Sequence, residues 1–356
     1  MEPKKYAYID SLRGIAILLV VLVHTGQHGA QLQFIPGRIA EFIQNGKYGV
    51  QLFFLVSAYT LMLSEKSRRG EADHLTKFLV RRIFRVAPMY YLAVLYYTIW
   101  RVNGFHFSSF DWHRFPTALT LSNLFFVHGF QPEWINSLVP GGWSIAVEMT
   151  FYCLLPLLIP RIKNLDQSII LLLISLLIMS VAKHFAPPRF PLFSYYYFPN
   201  QFPVFCLGIV AYFVTTTKES IHAPALFCLA ALAFTFNYTF IPQHLIHSIA
   251  FFLLLLAVRK YPVGLLVNPA LTYLGKISFS IYLLHFIVLQ WMGTFGFMDF
   301  LPVTGTSSAL LNFALRYAVV LGISVVIASL TYRFVEARFQ QTGRNILRKM
   351  NEKALA

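Results

Sequence analysis

Ten long apolar stretches alternate along the chain with short and often basic segments. A helix needs about 20 apolar residues to cross a hydrocarbon core of about 30 Å. Helices also satisfy their own backbone hydrogen bonds in lipid. The pattern therefore predicts an all-α polytopic membrane protein with about ten transmembrane helices. The stretches lie at residues 11–28, 48–65, 87–102, 143–160, 168–184, 200–217, 223–240, 244–258, 277–295 and 309–332.

The composition supports this class and excludes others. The 356 residues are 57% hydrophobic and only 12% charged, whereas a soluble domain has about 25% charged residues. The net charge of +15 comes from Lys and Arg between the apolar stretches, so we expect no nucleic acid partner. The three cysteines lie in apolar stretches without metal-binding spacing. We therefore expect neither a disulfide framework nor a metal site.

The basic residues fall on alternate loops, and this asymmetry predicts the orientation. Lys and Arg crowd segment 66–86, recur at Arg161 and Lys163, and mark the chain end. Cytoplasmic loops are enriched in Lys and Arg, so we expect an integral protein of the cell membrane with both termini cytoplasmic. The predicted organisation is a membrane domain at 1–335 and a short basic cytoplasmic tail at 336–356.

Segment 116–130 is apolar, but a full crossing there would place Arg161 and Lys163 outside. We therefore expect it to be re-entrant or to lie at the outer interface. Residues 103–142 then form a long outer segment, which is either a binding element or an aromatic belt at the headgroups. Its aromatic and imidazole side chains are His106, Trp112, His113, His128 and Trp134.

Arg13 and His24 are separated by eleven positions in an apolar stretch. Eleven positions are about three helical turns, so both side chains share one stripe, about 16 Å apart along the axis. Ionisable groups at membrane depth are costly and mark functional sites. The alternative interpretation is an interfacial anchor and a hydrogen-bonded core histidine.

Glu148 lies in the apolar run WSIAVEMTFY. With the predicted orientation, Glu148 and His24 lie at a similar depth below the outer face. A carboxylate paired with an imidazole fixes its tautomer and raises its basicity. The pair is therefore a candidate for catalysis, and a purely structural pair is the alternative.

Two further groups are candidates for binding. Arg81, Arg82 and Arg85 are helical neighbours that, together with Arg13, suit phosphate recognition. Simple anchoring on the positive side is the alternative. Ser278, Tyr282 and His285 share one helical face, where they either line a cavity or bond to a neighbouring helix.

Taken together, the motifs resemble those of the acyltransferase-3 family of integral membrane acyltransferases. They include the Arg-ten-residues-His pattern from Arg13 to His24, and their order extends through most of the chain. Two positions depart from the family pattern: Ala58 replaces a common Gly, and Gln51 replaces a common acidic residue. The matching runs are IDSLRGIAILLVVLVH, FFLVSAYTL, RRIFRVAPMYYL, WSIAVEMTFYCLLP, FPVFCLGI, ISFSIYLLHF and RFVEARF.

The resemblance implies an O-acyltransferase that moves an acetyl group from acetyl-CoA to a carbohydrate hydroxyl. The acceptor would be a glycan or lipid-linked glycan, such as the lipopolysaccharide O-antigen or an exopolysaccharide, at a bacterial inner membrane. Acetyl-CoA would be a substrate, with no bound cofactor. Some members carry a further soluble domain, and we expect none here because the chain ends soon after the last stretch.

The resemblance also implies roles for individual residues. Donor phosphates would be held by Arg13, Arg82 and Arg85. His24, oriented by Glu148, would be the general base. The oxyanion donors and other cavity residues would come from Ser57, Trp143, Ser144, Tyr152, Ser278, Tyr282 and His285.

A proton-coupled secondary transporter or flippase is the alternative from another class, since buried His, Glu and Arg also suit proton relays. Transporters often carry internal repeats, and no such repeat is evident in this sequence. The sequence leaves open the acceptor sugar and hydroxyl, the acyl chain, direct transfer or an acyl-enzyme, and whether the protein acts as a homo-oligomer.

Overall fold

The computed structural model describes residues 6–29, 32–66, 68, 71, 73–103, 115–216, 226–231 and 241–355. Those residues form helices and connecting turns without a strand. The predicted all-α class is therefore confirmed for the described part of the chain. The chain divides into two compact units, which are Met1–Thr60 with Val214–Leu330, and Leu61–Phe213 with Thr331–Ala356.

The α-helices have the following bounds. The first half contains α1 (Ala7–Gly26), α2 (Gly37–Asn45), α3 (Gly49–Lys66), α4 (His74–Asn103), α5 (Thr117–Leu124), α6 (Gly142–Leu158) and α7 (Leu165–His184). The second half contains α8 (Pro191–Tyr196), α9 (Phe198–Thr216), α10 (226–231), α11 (Gln243–Lys260), α12 (Pro269–Lys276), α13 (Ser278–Thr294), α14 (Thr306–Thr331) and α15 (Ala337–Leu355).

Six helical segments in the described residues are long and apolar enough to cross a membrane. A seventh is added if α12 and α13, which meet at a bend of 75°, count as one span. Most of the predicted stretches coincide with a helix. Helices α3 and α4, which correspond to stretches 48–65 and 87–102, are not among the six candidate spans. Stretch 223–240 lies largely outside the described residues. The predicted membrane protein is supported, whereas the count of about ten spans is not confirmed.

Segment 116–130 is folded into two short pieces and a turn. Helix α5 has eight residues, so it reaches only about 12 Å and cannot cross the membrane. The chain then turns at Phe126, whose φ is +59°, and forms a 3₁₀ turn at His128–Phe130. The prediction that this segment is not a span is confirmed, and its place at the membrane interface stays a prediction. His106, Trp112 and His113 lie outside the described residues.

In the first unit, α1 and α12 touch backbone to backbone. A Cβ on Gly14 would lie 2.2 Å from the carbonyl oxygen of Leu271, and one on Gly275 would lie 1.7 Å from the carbonyl oxygen of Asp10. Small residues allow membrane helices to approach this closely. Because α1 carries both Arg13 and His24, this contact fixes the helix that holds the predicted motif.

In the second unit, α15 packs on α4. A Cβ on Gly343 would lie 2.9 Å from Cβ of Phe84. The predicted tail 336–356 is therefore largely helical, and a π-helical turn at Tyr332–Glu336 precedes α15. Helix α7 exposes large apolar side chains, including Leu173 and Leu177. Such a surface suits lipid contact.

Candidate functional site

His24 and His285 form the best-defined polar pair of the first unit. His24 lies in the last turn of α1, and His285 lies in α13 with none of its surface exposed. Nδ1 of His24 lies 3.1 Å from Nε2 of His285. Sequence spacing placed Ser278, Tyr282 and His285 on one face, but it did not pair His285 with His24.

The hydrogen bonds of this pair fix which nitrogen of His24 carries a proton. Nδ1 of His285 lies 3.0 Å from the carbonyl oxygen of Ile281, and a carbonyl only accepts, so this nitrogen is the donor. In a neutral His285, Nε2 is then the acceptor. Nδ1 of His24 therefore donates to it, and the lone pair of His24 lies on Nε2. That tautomer can remove a proton from a substrate hydroxyl.

Aromatic rings surround the two histidines. The ring of Phe286 lies 4.4 Å from that of His24 and 4.0 Å from that of His285. Tyr282 lies 6.0 Å from His285 and 6.4 Å from Phe53, measured between ring centroids. The structure therefore brings Tyr282 to the histidine pair, as the shared face predicted.

The two candidate serines of this unit are buried. Ser278 donates from Oγ to the carbonyl oxygen of Gly275 at 2.8 Å, so its hydroxyl proton is engaged at the start of α13. Ser57 lies in α3 and is 8% exposed.

Arg13 is held by two neighbours that the sequence analysis missed. Its guanidinium donates to the Asp10 carboxylate and to Oγ1 of Thr60, both at 3.2 Å. Asp10 stands three residues before Arg13, a spacing that favours ion pairs on a helix. Arg13 and His24 do share α1, which confirms the predicted helix. The role of Arg13 in phosphate binding stays a prediction.

In the second unit, Glu148, Tyr152 and Arg82 form one polar cluster. The hydroxyl of Tyr152 donates to Oε1 of Glu148. The guanidinium of Arg82 lies 5.7 Å from the centre of the Tyr152 ring and 5.9 Å from that of Phe78, within the range of cation–π contacts. Arg82 also interacts electrostatically with Glu148. The structure thus brings together three residues with different predicted roles: Glu148 in catalysis, Tyr152 in the cavity and Arg82 in donor binding.

Arg82 and Arg85 differ from simple surface anchors. Nε of Arg82 is buried without a hydrogen-bond partner in the described residues. Arg85 lies within electrostatic range of Arg82 and Tyr152. Arg81, in contrast, is paired with the Glu71 carboxylate at 3.0 and 3.3 Å. The acidic partner Glu71 was not part of the sequence analysis.

Trp143 and Ser144 lie at the start of α6, in a different environment from Glu148. Ser144 donates to the carbonyl oxygen of Gly141 at 2.9 Å. Trp143 stacks on Tyr196 with ring centroids 4.6 Å apart and an angle of 26° between the planes. Trp143 therefore packs with an aromatic side chain of α8 at the beginning of α6, while Ser144 is bonded to the main chain there.

Two histidines outside the observed spanning helices have lowered pKa values: His128, and His28, which follows the end of α1 at Gly26. Burial lowers the pKa of His128, whose Nε2 lies 3.1 Å from the carbonyl oxygen of Gly142 and 3.2 Å from the Tyr90 hydroxyl. Burial also lowers the pKa of His28, and the nearby positive charge of Arg316 lowers it further. Both rings therefore favour the neutral form.

Arg316 was missed by the sequence analysis, although it is fully buried within an apolar helix. Its guanidinium donates to the Asp299 carboxylate at 2.6 Å and to the carbonyl oxygens of Met298 and His28 at 2.6 and 2.5 Å. A single charge in an apolar stretch was the available signal. These bonds tie the end of α1 to the segment before α14.

The predicted assembly of all these residues is only partly described. His24, His285, Tyr282 and Arg13 belong to the first unit, whereas Glu148, Tyr152, Arg82 and Arg85 belong to the second. The pairing of His24 with Glu148, and the joining of Arg13 with the other arginines, therefore stay predictions. Within the described ranges, no group of three or more His, Cys, Asp or Glu side chains suits a metal ion.

The family model and the similar proteins all indicate an acyltransferase. A family model described as "Acyltransferase domain" matches residues 6–333. O-acetyltransferase OatA of Staphylococcus aureus (strain NCTC 8325 / PS 47) is 22% identical over 390 residues, covering 96% of this chain and 58% of that protein. Putative O-acetyltransferase SACOL0978 of S. aureus (strain COL) is 24% identical over 384 residues, with the same coverage. No solved structure matches the chain. The chain thus spans less than two thirds of the length of these relatives.

Proposed function

The chain belongs to the acyltransferase-3 family, and from that premise we propose that it transfers an acetyl group from acetyl-CoA to a hydroxyl of a carbohydrate. The names of the two relatives support O-acetyl transfer as the reaction. The acceptor we propose is a glycan or lipid-linked glycan, such as an O-antigen or exopolysaccharide. The enzyme would act in a bacterial inner membrane with both termini cytoplasmic.

His24 is the general base of the proposed reaction. Its Nε2 removes the proton of the acceptor hydroxyl while the hydroxyl oxygen forms a bond to the acetyl carbonyl carbon. The carbon–sulfur bond of the thioester then breaks, and the CoA thiolate takes the proton from the imidazolium. The observation that supports this role is the 3.1 Å contact from His24 to His285, because it leaves Nε2 of His24 as the basic nitrogen.

The developing oxyanion of the tetrahedral intermediate needs a hydrogen-bond donor. The candidates from the sequence are Ser57, Ser144 and Tyr282. Tyr282 is the best supported of the three, since its ring lies 6.0 Å from that of His285.

Arg13, Arg82 and Arg85 would hold the phosphates of the donor. Arginine suits this role because its planar fork matches phosphate oxygens. The buried, unpartnered Nε of Arg82 supports this assignment among the described residues. Glu148 and Tyr152, which contact each other beside Arg82, would then connect donor binding to the predicted orientation of His24 by Glu148.

Turnover of the purified protein tests the function. The full chain in detergent is given acetyl-CoA with and without an oligosaccharide panel, and free CoA and acetylated sugar are measured together. We expect CoA release that depends on the acceptor, with one acetyl ester formed for each CoA released. His24→Ala is the matched inactive control.

Two outcomes would contradict the proposal. Acceptor-independent CoA release that continues in His24→Ala would exclude His24 as the base. Movement of an unmodified glycan across proteoliposomes, without ester formation, would favour the transporter alternative, which the family membership does not favour.

A further inference from the structure

A cavity of about 390 Å³ lies in the second unit, outside the cluster around Glu148. Its walls come from the turn before α6, and from α8 with the two residues before it. Its volume falls in the range of about 300–1,000 Å³ that is typical of small-molecule sites. Its lining includes Glu133, Asn136, Arg189, Phe190 and Tyr196.

The cavity walls are held in place by hydrogen bonds and ring contacts. Oδ1 of Asn136 accepts from the backbone nitrogen of Gly141 at 2.9 Å. Gly141 has φ +76°, a left-handed conformation that favours glycine. On the other wall, Tyr196 stacks on Trp143 at 4.6 Å. The cavity is therefore preformed, which lowers the entropic cost of binding.

Several polar groups that line the cavity have hydrogen-bond donors or acceptors that no described residue occupies. Glu133 and Arg189 are both exposed, and in the described part of the chain neither forms an ion pair, with each other or with another residue. The amide nitrogen of Asn136 likewise donates to no described residue. The cavity thus presents a carboxylate acceptor, guanidinium donors and an amide donor around an aromatic wall.

This combination matches one ligand chemistry best. A sugar ring carries hydroxyls that both donate and accept, and it has an apolar C–H face that packs on an aromatic ring. A phosphate headgroup would favour an excess of positive charge, whereas here one carboxylate offsets one guanidinium. We propose that this cavity binds an uncharged pyranose unit of a saccharide chain.

The location of the cavity suits such a ligand. It lies at the beginning of α6, whereas Arg161 and Lys163 follow the other end of that helix. With the predicted orientation, the cavity opens on the outer side of the membrane. This inference rests on the proposed function, because the bound saccharide would be the acceptor.

Saturation-transfer NMR on the full chain in detergent tests the cavity without any acetyl donor. The probes are cellotetraose and fully N-acetylated chitotetraose, both uncharged, and a short-chain phosphatidylglycerol serves as competitor. We expect saturation transfer to the sugar ring protons. Glu133→Gln, Arg189→Gln and Tyr196→Leu should each weaken binding about ten-fold. The matched controls are Asp166→Asn and Lys183→Gln, exposed residues of α7 outside the cavity, and they should bind like the wild type.

Absence of transfer to both oligosaccharides, or equal affinities in cavity variants and controls, would overturn the proposal. Displacement of the sugars by phosphatidylglycerol at equal concentration would assign the cavity to a lipid headgroup instead. A protein that binds sugar through Glu133 and Arg189 but forms no ester would keep this inference and contradict the proposed function. Ester formation that is unaffected by the cavity variants would keep the proposed function and contradict this inference.

Discussion

Nδ1 of His24 lies 3.1 Å from Nε2 of His285, and Nδ1 of His285 lies 3.0 Å from a main-chain carbonyl oxygen. This chain of hydrogen bonds runs in one direction, because a carbonyl cannot donate. It therefore leaves a lone pair on Nε2 of His24. His285 is fully buried and acts in the proposed reaction only through its bond to His24, so we regard it as a positioning residue for His24.

Replacing His285 should separate its positioning function from a merely structural one. His285→Leu removes the acceptor for His24 Nδ1, and we expect kcat to fall by about 10²-fold or more with little change in the KM for acetyl-CoA. His285→Gln should recover part of kcat, because its Oε1 accepts while its Nε2 donates to the Ile281 carbonyl. Equal activity losses in both variants, with an unchanged pH profile of kcat/KM, would contradict positioning.

His24 and Glu148 should act together if the predicted pair exists. His24→Ala should lose about 10²–10⁴-fold in turnover, Glu148→Gln a similar amount, and the double variant little more, because residues that act as a unit are not additive. Turnover is measured on variants that insert normally in the membrane. Losses that multiply would instead assign Glu148 to a separate step, in keeping with its contact to Tyr152.

Arg13→Ala should raise the acetyl-CoA concentration needed for half-maximal rate by about ten-fold or more, because one charged hydrogen bond contributes about 1.5–3 kcal/mol. Arg13→Lys should recover only part of it, since Lys lacks the planar fork. Arg348→Ala, a substitution at an exposed arginine of α15, is the control. Unchanged donor affinity in both Arg13 variants would remove Arg13 from the donor site.

Labelling of single cysteines should reveal the orientation. In a background without Cys153, Cys206 and Cys228, we expect an impermeant thiol reagent added outside to label Ser137→Cys and not Lys163→Cys. Both positions are exposed. The reason is the enrichment of Lys and Arg in cytoplasmic loops. The opposite labelling pattern would invert the predicted orientation.

Gly275→Ala should destabilise the protein, because the added Cβ would lie 1.7 Å from a backbone oxygen of α1. This clash can be relieved only by a shift of the backbone, which we expect to lower the free energy of unfolding by about 1–3 kcal/mol. Thermal unfolding of the detergent-purified protein measures the effect. Gly322→Ala in α14, where no atom lies within 4 Å of the added Cβ, is the control and should be neutral or slightly stabilising. Equal melting temperatures would contradict the close contact.

The sequence by itself determined the class of the protein. Apolar stretches long enough to cross a membrane predict helices, because a helix satisfies its own backbone hydrogen bonds in lipid. The described residues are indeed helical apart from turns and connecting segments. It also determined that Arg13 and His24 share α1, because eleven positions at 3.6 residues per turn return to one stripe. The Arg-ten-residues-His pattern and its companion motifs pointed to the family that the comparison confirmed.

Only the tertiary structure decided the partners of these side chains. His24 and His285 are 261 positions apart along the chain, and periodicity within one helix carries no information about which faces meet. The contact depends on how the helices pack. At Gly14 and Gly275, close packing is possible because glycine has no side chain, and this matters only where two backbones meet. The same reason explains why the cavity beside Tyr196 was not foreseen. Its walls come from the turn before α6 and from α8 with the residues before it, and local sequence pattern does not show that these segments meet.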